Sequence, residues 1–308
     1  MTDGTLTFDI GGSSVKVAVV DGGAQPRIAA RPFDPIPLHA CDIDELTDVV
    51  LSTTAAALRD FEALGRVAVS TTGVVDPDGT VTMSGSISGY DGTSWAKTFE
   101  ESFPGRFEVV HVGNDGDCAA WAEFVAGSGR SVKSLAHFVL GTGLGGGAIV
   151  GGELVADPPG GRGNFAHVAV PAQERRTCAC GNPYCAEAFA ATRGVLWSAP
   201  NGTATIRELS TLMMDGDPAA TAAFASGGEW LGHAIATVTG ILEIETATIG
   251  GGLALAARTS AENVYVDAAR RTVRDLAASP VQVLESGLGN DAGLLGAAAL
   301  ANSHESPR

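Results

Sequence analysis

Three cysteines and one histidine lie close together near the middle of the chain. Cys178, Cys180 and Cys185 fall in one short segment, and His167 precedes them with ten residues between. Three thiolates and one imidazole form a complete tetrahedral ligand set for a structural zinc ion, with no coordination position left open. The segment is therefore predicted to be a metal-fixed loop that supports its surroundings and performs no chemistry through the metal.

Composition and charge restrict the classes of protein to which the chain can belong. Its 308 residues are enough for two domains with a sizeable core, and the net charge of −16, without any run of lysine or arginine, argues against nucleic acid as a partner. No apolar run approaches the ~20 residues that span a bilayer. The N-terminus lacks a secretory signal pattern, so we predict a cytoplasmic protein, in which clustered cysteines bind metal more often than they form disulfides.

The pattern of apolar residues predicts an α/β protein with strands and helices mixed along the chain. The second half is predicted to be largely helical. We predict strands over 6–10, 15–19, 66–70, 107–111, 134–140, 148–150 and 245–249, and helices over 42–64, 115–126, 256–277 and 291–301.

A glycine-rich hairpin tip is predicted near the N-terminus. Gly11 and Gly12 separate two strand-like segments, and Ser13 adds a hydroxyl donor beside them. Backbone N–H groups exposed at such a tip can bind an anion such as a phosphate. Asp9 ends the first strand, where its carboxylate can hold a magnesium ion through water. A plain glycine turn remains an alternative for this segment.

A second glycine cluster matches the spacing G-x-G-x-x-G at Gly141, Gly143 and Gly146. A dinucleotide-binding site needs a helix directly after these glycines, whereas the residues from Ala148 onward resemble a strand. We therefore predict a second phosphate-binding hairpin and not a nicotinamide site. A third cluster, Gly250–Gly252, follows a predicted strand and can approach a nucleotide closely.

Asp115 lies between a predicted strand and a predicted helix. A carboxylate there can act as a general base if it comes within hydrogen-bonding reach of a substrate hydroxyl. The same position is typical of a helix N-cap, and from this motif alone the cap is the favoured interpretation. Asp117 in the same turn is expected to be a surface residue placed favourably in the helix dipole.

Taken in this order, the motifs resemble those of the ROK family (repressors, open reading frames, kinases), over almost the whole chain. Ser13 replaces the threonine of the family's first phosphate loop. The matching segments are Asp9–Lys16, Gly73–Asp76, Asn114–Asp115, Leu140–Gly147, Cys178–Glu187, Gly250–Gly252 and 290–298.

The resemblance implies a two-lobed, actin-like or ribonuclease-H-like α/β fold with a cleft between the lobes. The implied lobes are 1–116 plus 290–308, and 117–289. It also implies a sugar kinase that uses ATP and Mg²⁺ to phosphorylate glucose or an amino-hexose such as kanosamine or N-acetylmannosamine, at the C6 hydroxyl. Family members are often oligomers, and we expect a homodimer.

The resemblance also assigns roles to individual residues. It raises Asp115 from a helix cap to the catalytic base. The implied sugar-binding residues are Gly73, Asn114, Asn164, His167 and Glu187, and the implied ATP- or phosphate-binding residues are Gly11, Gly12, Ser13, Lys16, Thr142, Gly143 and Gly251. His167 can serve both the metal and the sugar, through different ring nitrogens.

Two departures from the family pattern fall on the sugar side. Asn164 stands where the family has a glutamate, so a group that only accepts hydrogen bonds becomes one that also donates. The segment 86–95 lacks the asparagine that the family commonly carries before a tryptophan. These departures favour an amino-hexose over plain glucose as substrate.

Two other functions and a second phosphate donor remain open. A sugar-sensing repressor of this family carries an added N-terminal DNA-binding module, for which the position of Asp9 leaves little room. A zinc-stabilised sugar-binding protein without catalysis is compatible with Asn164. Polyphosphate is an alternative donor, because glycine hairpins recognise phosphate more directly than adenine.

Overall fold

The computed structural model describes residues 4–21, 25–61, 63–155, 167–178 and 180–303. They form two compact α/β units, the first made of residues 4–126 and 291–303 and the second of 127–155 and 167–290. In chain order the elements are β1 (Gly4–Ile10), β2 (Ser14–Asp21), β3 (Arg27–Ala30), β4 (Ile36–Pro37), α1 (Ile43–Asp60), β5 (Arg66–Thr71), β6 (Val74–Val75), β7 (Thr80–Met83), β8 (Thr93–Ser94), α2 (Trp95–Ser102), β9 (Val109–Asn114), α3 (Asp115–Val125), β10 (Leu135–Leu140), β11 (Leu144–Val150), β12 (Glu153–Leu154), α4 (Ala186–Ala190), α5 (Thr192–Trp197), α6 (Ile206–Met214), α7 (Pro218–Leu242), β13 (Thr246–Gly250), α8 (Gly252–Ala256), α9 (Val264–Leu276), β14 (Gln282–Glu285) and α10 (Ala292–Ser303).

The main sheet of the first unit has the strand order β3-β2-β1-β5-β9. Strands β1 and β2 form the predicted hairpin, and β5 and β9 continue the sheet parallel to β1. In this register Asp9 is opposite Ser70, and Thr71 is opposite Asn114. The carboxyl ends of β1, β5 and β9 therefore meet at one edge, which is where α/β sheets commonly carry their functional residues.

Helix α3 belongs to the first unit, in which it packs against α10. A Cβ atom on Gly296 would lie 1.6 Å from the backbone oxygen of Cys118, so the two helices touch backbone to backbone and only glycine fits at that point. The first unit consequently extends to Ala126. The boundary predicted at residue 116 divides this helix from the sheet that it covers.

The second unit repeats the same sheet arrangement, with the order β12-β11-β10-β13-β14. Strands β10 and β11 form an antiparallel hairpin, and β13 and β14 run parallel to β10. Its core includes Phe138, Phe189, Phe224 and Tyr265, all fully buried. The long helix α7 begins with an aspartate cap, Asp217, followed by a proline, as the first turn of a helix favours.

Several predicted boundaries are wrong. Strand β11 already begins at Leu144, so Gly145–Gly147 pair with β10 and are not part of a loop. The helix predicted over 256–277 starts only at Val264, because the side chain of Asn263 accepts a hydrogen bond from Val266 N and caps α9 there. Ala256 instead ends the separate short helix α8. The strand predicted at 107–111 lies at Val109–Asn114, in register with β5. Among the described residues, no helix is long and apolar enough to cross a membrane.

Candidate active site

Asp9, near the carboxyl end of β1, is held by two side chains. Its Oδ2 accepts a hydrogen bond from Nζ of Lys16 at 2.8 Å, and its Oδ1 accepts one from Oγ of Ser70 at 2.9 Å. A Cβ atom on Gly293 would lie 2.6 Å from Oδ1, so α10 also approaches the carboxylate closely. The carboxylate is thus positioned by the protein itself. Sequence analysis missed Ser70. Its position in the predicted strand 66–70 could have indicated it, because that strand pairs with β1 and places Ser70 opposite Asp9.

The tip of the first hairpin is a tight turn with an exposed hydroxyl. Gly11 N donates to Ser14 O at 3.0 Å, and Ser13 is exposed to solvent. A Cβ atom on Gly12 would lie 2.9 Å from Cβ of Ser86, so this position accepts only glycine without movement of its neighbour. The turn is compact and open to solvent at Ser13, as an anion-binding hairpin requires.

Asn114, and not Asp115, caps helix α3. Its Oδ1 accepts hydrogen bonds from the backbone N–H groups of Gly116 and Asp117, at 2.9 and 3.3 Å. Asp115 is the first residue of the helix and is exposed to solvent, with Oδ1 accepting from Gly116 N at 2.8 Å. The N-cap interpretation of Asp115 is therefore wrong. Because its neighbour fills the capping role, the carboxylate of Asp115 keeps acceptor capacity for a substrate.

The surroundings of Asp115 favour protonation of its carboxyl group. Desolvation by the neighbouring protein atoms, together with the negative charge of Asp9, raises the pKa of Asp115 to about 6 from its ordinary value of 3.8. The residue as a whole is exposed to solvent, although neighbouring protein atoms surround its carboxyl group. Solvent therefore weakens part of the electrostatic effect on its pKa. A pKa raised toward neutrality suits a group that accepts a proton in one step and releases it afterwards.

Gly73 is fixed next to the cap of α3. It has φ +98, and a Cβ atom there would lie 2.5 Å from the backbone oxygen of Met83. Its own backbone oxygen accepts a hydrogen bond from Nδ2 of Asn114 at 2.8 Å. Asn114 therefore ties the Gly73 segment to the helix that carries Asp115. The amide NH2 of Asn114 has two N–H donors, and the bond to Gly73 uses one of them.

The predicted metal ligands come together in the second unit. The ligand atoms of His167, Cys178, Cys180 and Cys185 all lie within 4.8 Å of one another. Nδ1 of His167 is 3.5 Å from Sγ of Cys178, and Sγ of Cys180 is 3.3 Å from Sγ of Cys185. All three cysteines are free thiols.

The 3.5 Å between His167 and Cys178 matches a tetrahedral zinc site, and the 3.3 Å between Cys180 and Cys185 is about 0.5 Å shorter than that geometry gives. With a Zn–S distance of about 2.3 Å and a Zn–N distance of about 2.0 Å, tetrahedral geometry places two sulfurs about 3.8 Å apart and a sulfur and a nitrogen about 3.5 Å apart. Nδ1 of His167 is the nitrogen that faces Cys178. Nε2 is therefore the nitrogen that remains for a substrate.

Glu187 lies in the first turn of α4, which begins directly after Cys185. Its Oε1 is 3.4 Å from Sγ of Cys178, and its Oε2 accepts a hydrogen bond from Leu144 N at 3.2 Å. The predicted sugar-binding residues His167 and Glu187 are thus both next to the cysteine cluster. Asn164, the third one predicted for this part of the chain, lies outside the described residues.

The second glycine turn is short and is held from a neighbouring helix. The backbone oxygen of Gly141 accepts hydrogen bonds from Oγ1 and N of Thr192, at 2.7 and 3.1 Å. Thr142 is exposed, and strand β11 follows Gly143 directly. A strand and not a helix follows Gly143, as the sequence predicted for the residues from Ala148 onward. Thr192 is a further residue that sequence analysis missed, since nothing in its local sequence connects it with Gly141.

Gly251 lies against the strand that leads into this turn. It has φ +94, and a Cβ atom on it would lie 2.1 Å from O and 2.5 Å from N of Leu140. Because β13 is the parallel neighbour of β10, the third glycine cluster meets the second one at the carboxyl ends of these strands. The contact is backbone to backbone, so no side chain can move to relieve a clash.

We expect Gly251→Ala to destabilise the protein by about 3 kcal/mol or more, the sum of a positive-φ penalty and overpacking. The neighbouring Gly252→Ala is the matched control, since a Cβ atom there would meet nothing within 4 Å. Thermal unfolding of both variants measures the difference. Equal unfolding temperatures for the two variants would contradict this account of Gly251.

Comparisons with known proteins identify relatives that match almost the whole length of the chain. The sequence matches the family model described as ROK family over residues 5–304. It is 28% identical over 304 residues to the N-acetylmannosamine kinase of Escherichia coli strain ATCC 8739, covering 98% of this chain and 99% of that protein.

Solved structures of ROK family proteins resemble the chain in fold. A ROK family glucokinase from Streptomyces griseus, in complex with glucose and AMPPNP, has a TM-score of 0.79 and 25% identity, covering 97% of this chain and 99% of that one. A ROK family transcriptional regulator, a homolog of the E. coli MLC protein, has a TM-score of 0.80 at 22% identity, covering 97% of this chain and 78% of that one. The predicted two-lobed, actin-like α/β fold is confirmed.

Proposed function

The chain belongs to the ROK family, and on this premise we propose that it is an ATP-dependent hexose kinase. It transfers the γ-phosphoryl group of ATP to a sugar hydroxyl, at C6. The observation that carries the proposal is the state of Asp115: an exposed carboxylate that does not cap its helix and has a raised pKa.

In the proposed reaction Asp115 accepts the proton of the sugar hydroxyl. The hydroxyl oxygen forms a bond to the γ-phosphorus, the bond from that phosphorus to the β–γ bridging oxygen breaks, and ADP leaves. Asn114 contributes by fixing the Gly73 segment beside the base. Catalysis of phosphoryl transfer consists mainly of positioning and electrostatic stabilisation, so a preorganised base of this kind is the expected contribution of the protein.

The substrate that we propose is an amino-hexose, with N-acetylmannosamine preferred to glucose and kanosamine as an alternative. The support is the likeness to an N-acetylmannosamine kinase together with the amide of Asn164 in place of a carboxylate. We assign Nε2 of His167 and the free acceptor capacity of Glu187 to sugar hydroxyls.

Phosphate binding is assigned to the glycine turn of each unit separately. In the first unit we assign it to Gly11, Gly12, Ser13 and Lys16, and in the second to Thr142, Gly143 and Gly251. Bound Mg²⁺ would neutralise phosphate charge, and Asp9 is the residue that we expect to hold it through water. Zinc, held by His167 and the three cysteines, would supply rigidity only.

A panel of sugars and donors tests the proposal. Glucose, mannose, N-acetylglucosamine, N-acetylmannosamine and kanosamine are each incubated with ATP or polyphosphate, and products are identified by phosphorus NMR. We expect a 6-phosphate, with the highest kcat/KM for an amino-hexose and ATP. The same panel tests the alternative of a sugar-sensing protein, which binds a sugar without consuming a donor. Sedimentation analysis tests the homodimer that we infer from the family resemblance.

The pH dependence of the reaction provides a further prediction. Because Asp115 must be deprotonated to accept a proton, kcat/KM is expected to fall as pH decreases through about 6, the pKa of this group. Asp9→Asn removes a negative charge that raises this pKa, so the acid limb of the profile should move to lower pH. Ser70→Ala is the control, since it removes a hydrogen bond to Asp9 but keeps the charge. An acid limb at the same pH in Asp9→Asn as in the wild type would exclude this electrostatic coupling.

A further inference from the structure

A single carboxylate connects the cysteine cluster with the glycine turn of the second unit. Oε1 of Glu187 is 3.4 Å from Sγ of Cys178, and Oε2 accepts a hydrogen bond from Leu144 N at 3.2 Å. Leu144 is the first residue of β11 and follows Gly143, to which we assign phosphate binding. The side chain therefore spans from a metal ligand to the backbone of the turn.

The position of Glu187 is determined by the cluster. Helix α4 starts at Ala186 with Cys185 as its N-cap residue, so Glu187 follows a metal ligand by two positions. A bound metal that fixes Cys185 also fixes the start of this short helix. Partners that lie just outside the ligands in this way commonly share in the order that the metal imposes.

The turn is shaped to receive this carboxylate. A Cβ atom on Gly143 would lie 2.8 Å from Oε2 of Glu187 and 3.6 Å from its Cδ. The obstructing atom is the end of a flexible side chain, so a methyl group at position 143 displaces the carboxylate instead of unfolding the strand. Gly145, in the same glycine run, has nothing within 4 Å of its Cβ position.

We propose that Glu187 is a positioning residue that couples the metal cluster to the phosphate turn by holding the backbone N–H of Leu144. The inference depends on the proposed zinc site and on the phosphate-binding role of the turn. It adds a second role to a residue assigned to the sugar: a carboxylate has about four acceptor sites, and the hydrogen bond from Leu144 N uses one of them, at Oε2. A zinc-bound thiolate at Cys178 donates no proton, so acceptor sites on Oε1 are left for a substrate.

The test is amide hydrogen exchange at Leu144 in the zinc-loaded protein, with the amide of Phe138 in β10 as an internal reference. Losing a hydrogen bond to a charged acceptor should accelerate exchange about tenfold or more. We expect this acceleration in Glu187→Ala and in Gly143→Ala, but not in Gly145→Ala. Glu187→Gln should restore protection, because its amide oxygen can still accept the bond.

Removing zinc from the wild type with a chelator should accelerate exchange at Leu144 while Phe138 stays protected, and should add little in Glu187→Ala. Zinc content, measured by mass spectrometry, must remain at one ion per chain in Gly143→Ala, so that the effect is not metal loss. Unchanged Leu144 exchange in Gly143→Ala, or in the zinc-free wild type, would overturn the proposal. A wild type that binds no zinc also overturns it. Neither result depends on kinase activity, which the sugar panel tests separately.

Discussion

We expect Asp115→Asn to lower the turnover number about 10²–10⁴-fold, the range over which general-base catalysis contributes. The asparagine side chain has nearly the same shape but cannot accept the hydroxyl proton. Because the change removes an interaction needed for the chemical step, sugar affinity should remain within a few-fold of the wild type. Turnover is measured by coupled detection of ADP, and sugar affinity by calorimetry.

Asp117→Asn is the matched control for this change, two residues further along the same helix. Asp117 has no assigned role in the reaction, so its variant should retain turnover within about threefold, as expected for a position outside the catalytic machinery. Near-normal turnover in Asp115→Asn, or an equal loss in both variants, would remove Asp115 from the role of base.

The stability of Asp115→Asn distinguishes a functional residue from a structural one. The pKa of Asp115 is raised from 3.8 to about 6 in the folded protein, so the native state binds more protons than the unfolded state between these values. The protonated Asp115 therefore contributes to the free energy of unfolding at low pH, and this contribution is lost as pH rises toward 6. At pH 7 the wild-type carboxylate is ionised although desolvation and the charge of Asp9 disfavour the charge. An asparagine carries no charge, so the unfolding temperature of the variant at pH 7 should equal or exceed that of the wild type. A clear decrease would indicate a structural role.

We expect Cys180→Ser to lose its zinc and to unfold about 8–16 °C below the wild type. A ligand at a thousand times its dissociation constant stabilises by about 4 kcal/mol, and each kcal/mol shifts Tm by roughly 2–4 °C in a unit of this size. A serine hydroxyl binds zinc far more weakly than a thiolate does. Zinc content is measured by mass spectrometry and Tm by calorimetry.

Cys41→Ser is the matched control, because Cys41 is a free cysteine of similar partial exposure outside the cluster. It should retain one zinc ion per chain and the wild-type Tm. If Cys180→Ser also keeps its metal, the four-ligand assignment is wrong. If it loses the metal without any change in Tm, the metal does not stabilise this unit.

The cluster of His167 and three cysteines illustrates what local sequence can predict. Cys178, Cys180 and Cys185 lie so close in the chain that any compact loop brings their sulfurs together, and the zinc ligand set is short and chemically specific. The first hairpin was also predictable, because glycines at a strand break leave few other conformations. The ROK motifs then identified the family, which the family match confirms.

Asp115 illustrates where local reasoning fails. From the residues alone, Asp115 was favoured as the helix cap, because an aspartate and an asparagine at neighbouring positions are both good caps. The choice depends on the backbone angles at the end of β9, which its pairing with β5 determines. Likewise, the glycine run of the second turn was predicted as a loop, although most of it pairs as strand β11.

The sequence by itself determined the α/β class, the cysteine and histidine cluster and the glycine turns, because each of these depends on residues close together in the chain. Asp115 was raised from helix cap to proposed base only by the resemblance to the ROK family. Only the tertiary structure decided that Asn114 caps α3, that Ser70 holds Asp9, and that Glu187 links Cys178 to Leu144. The physical reason is that side-chain contacts between distant segments follow from strand register and helix packing. Those in turn depend on how the whole core fills its volume.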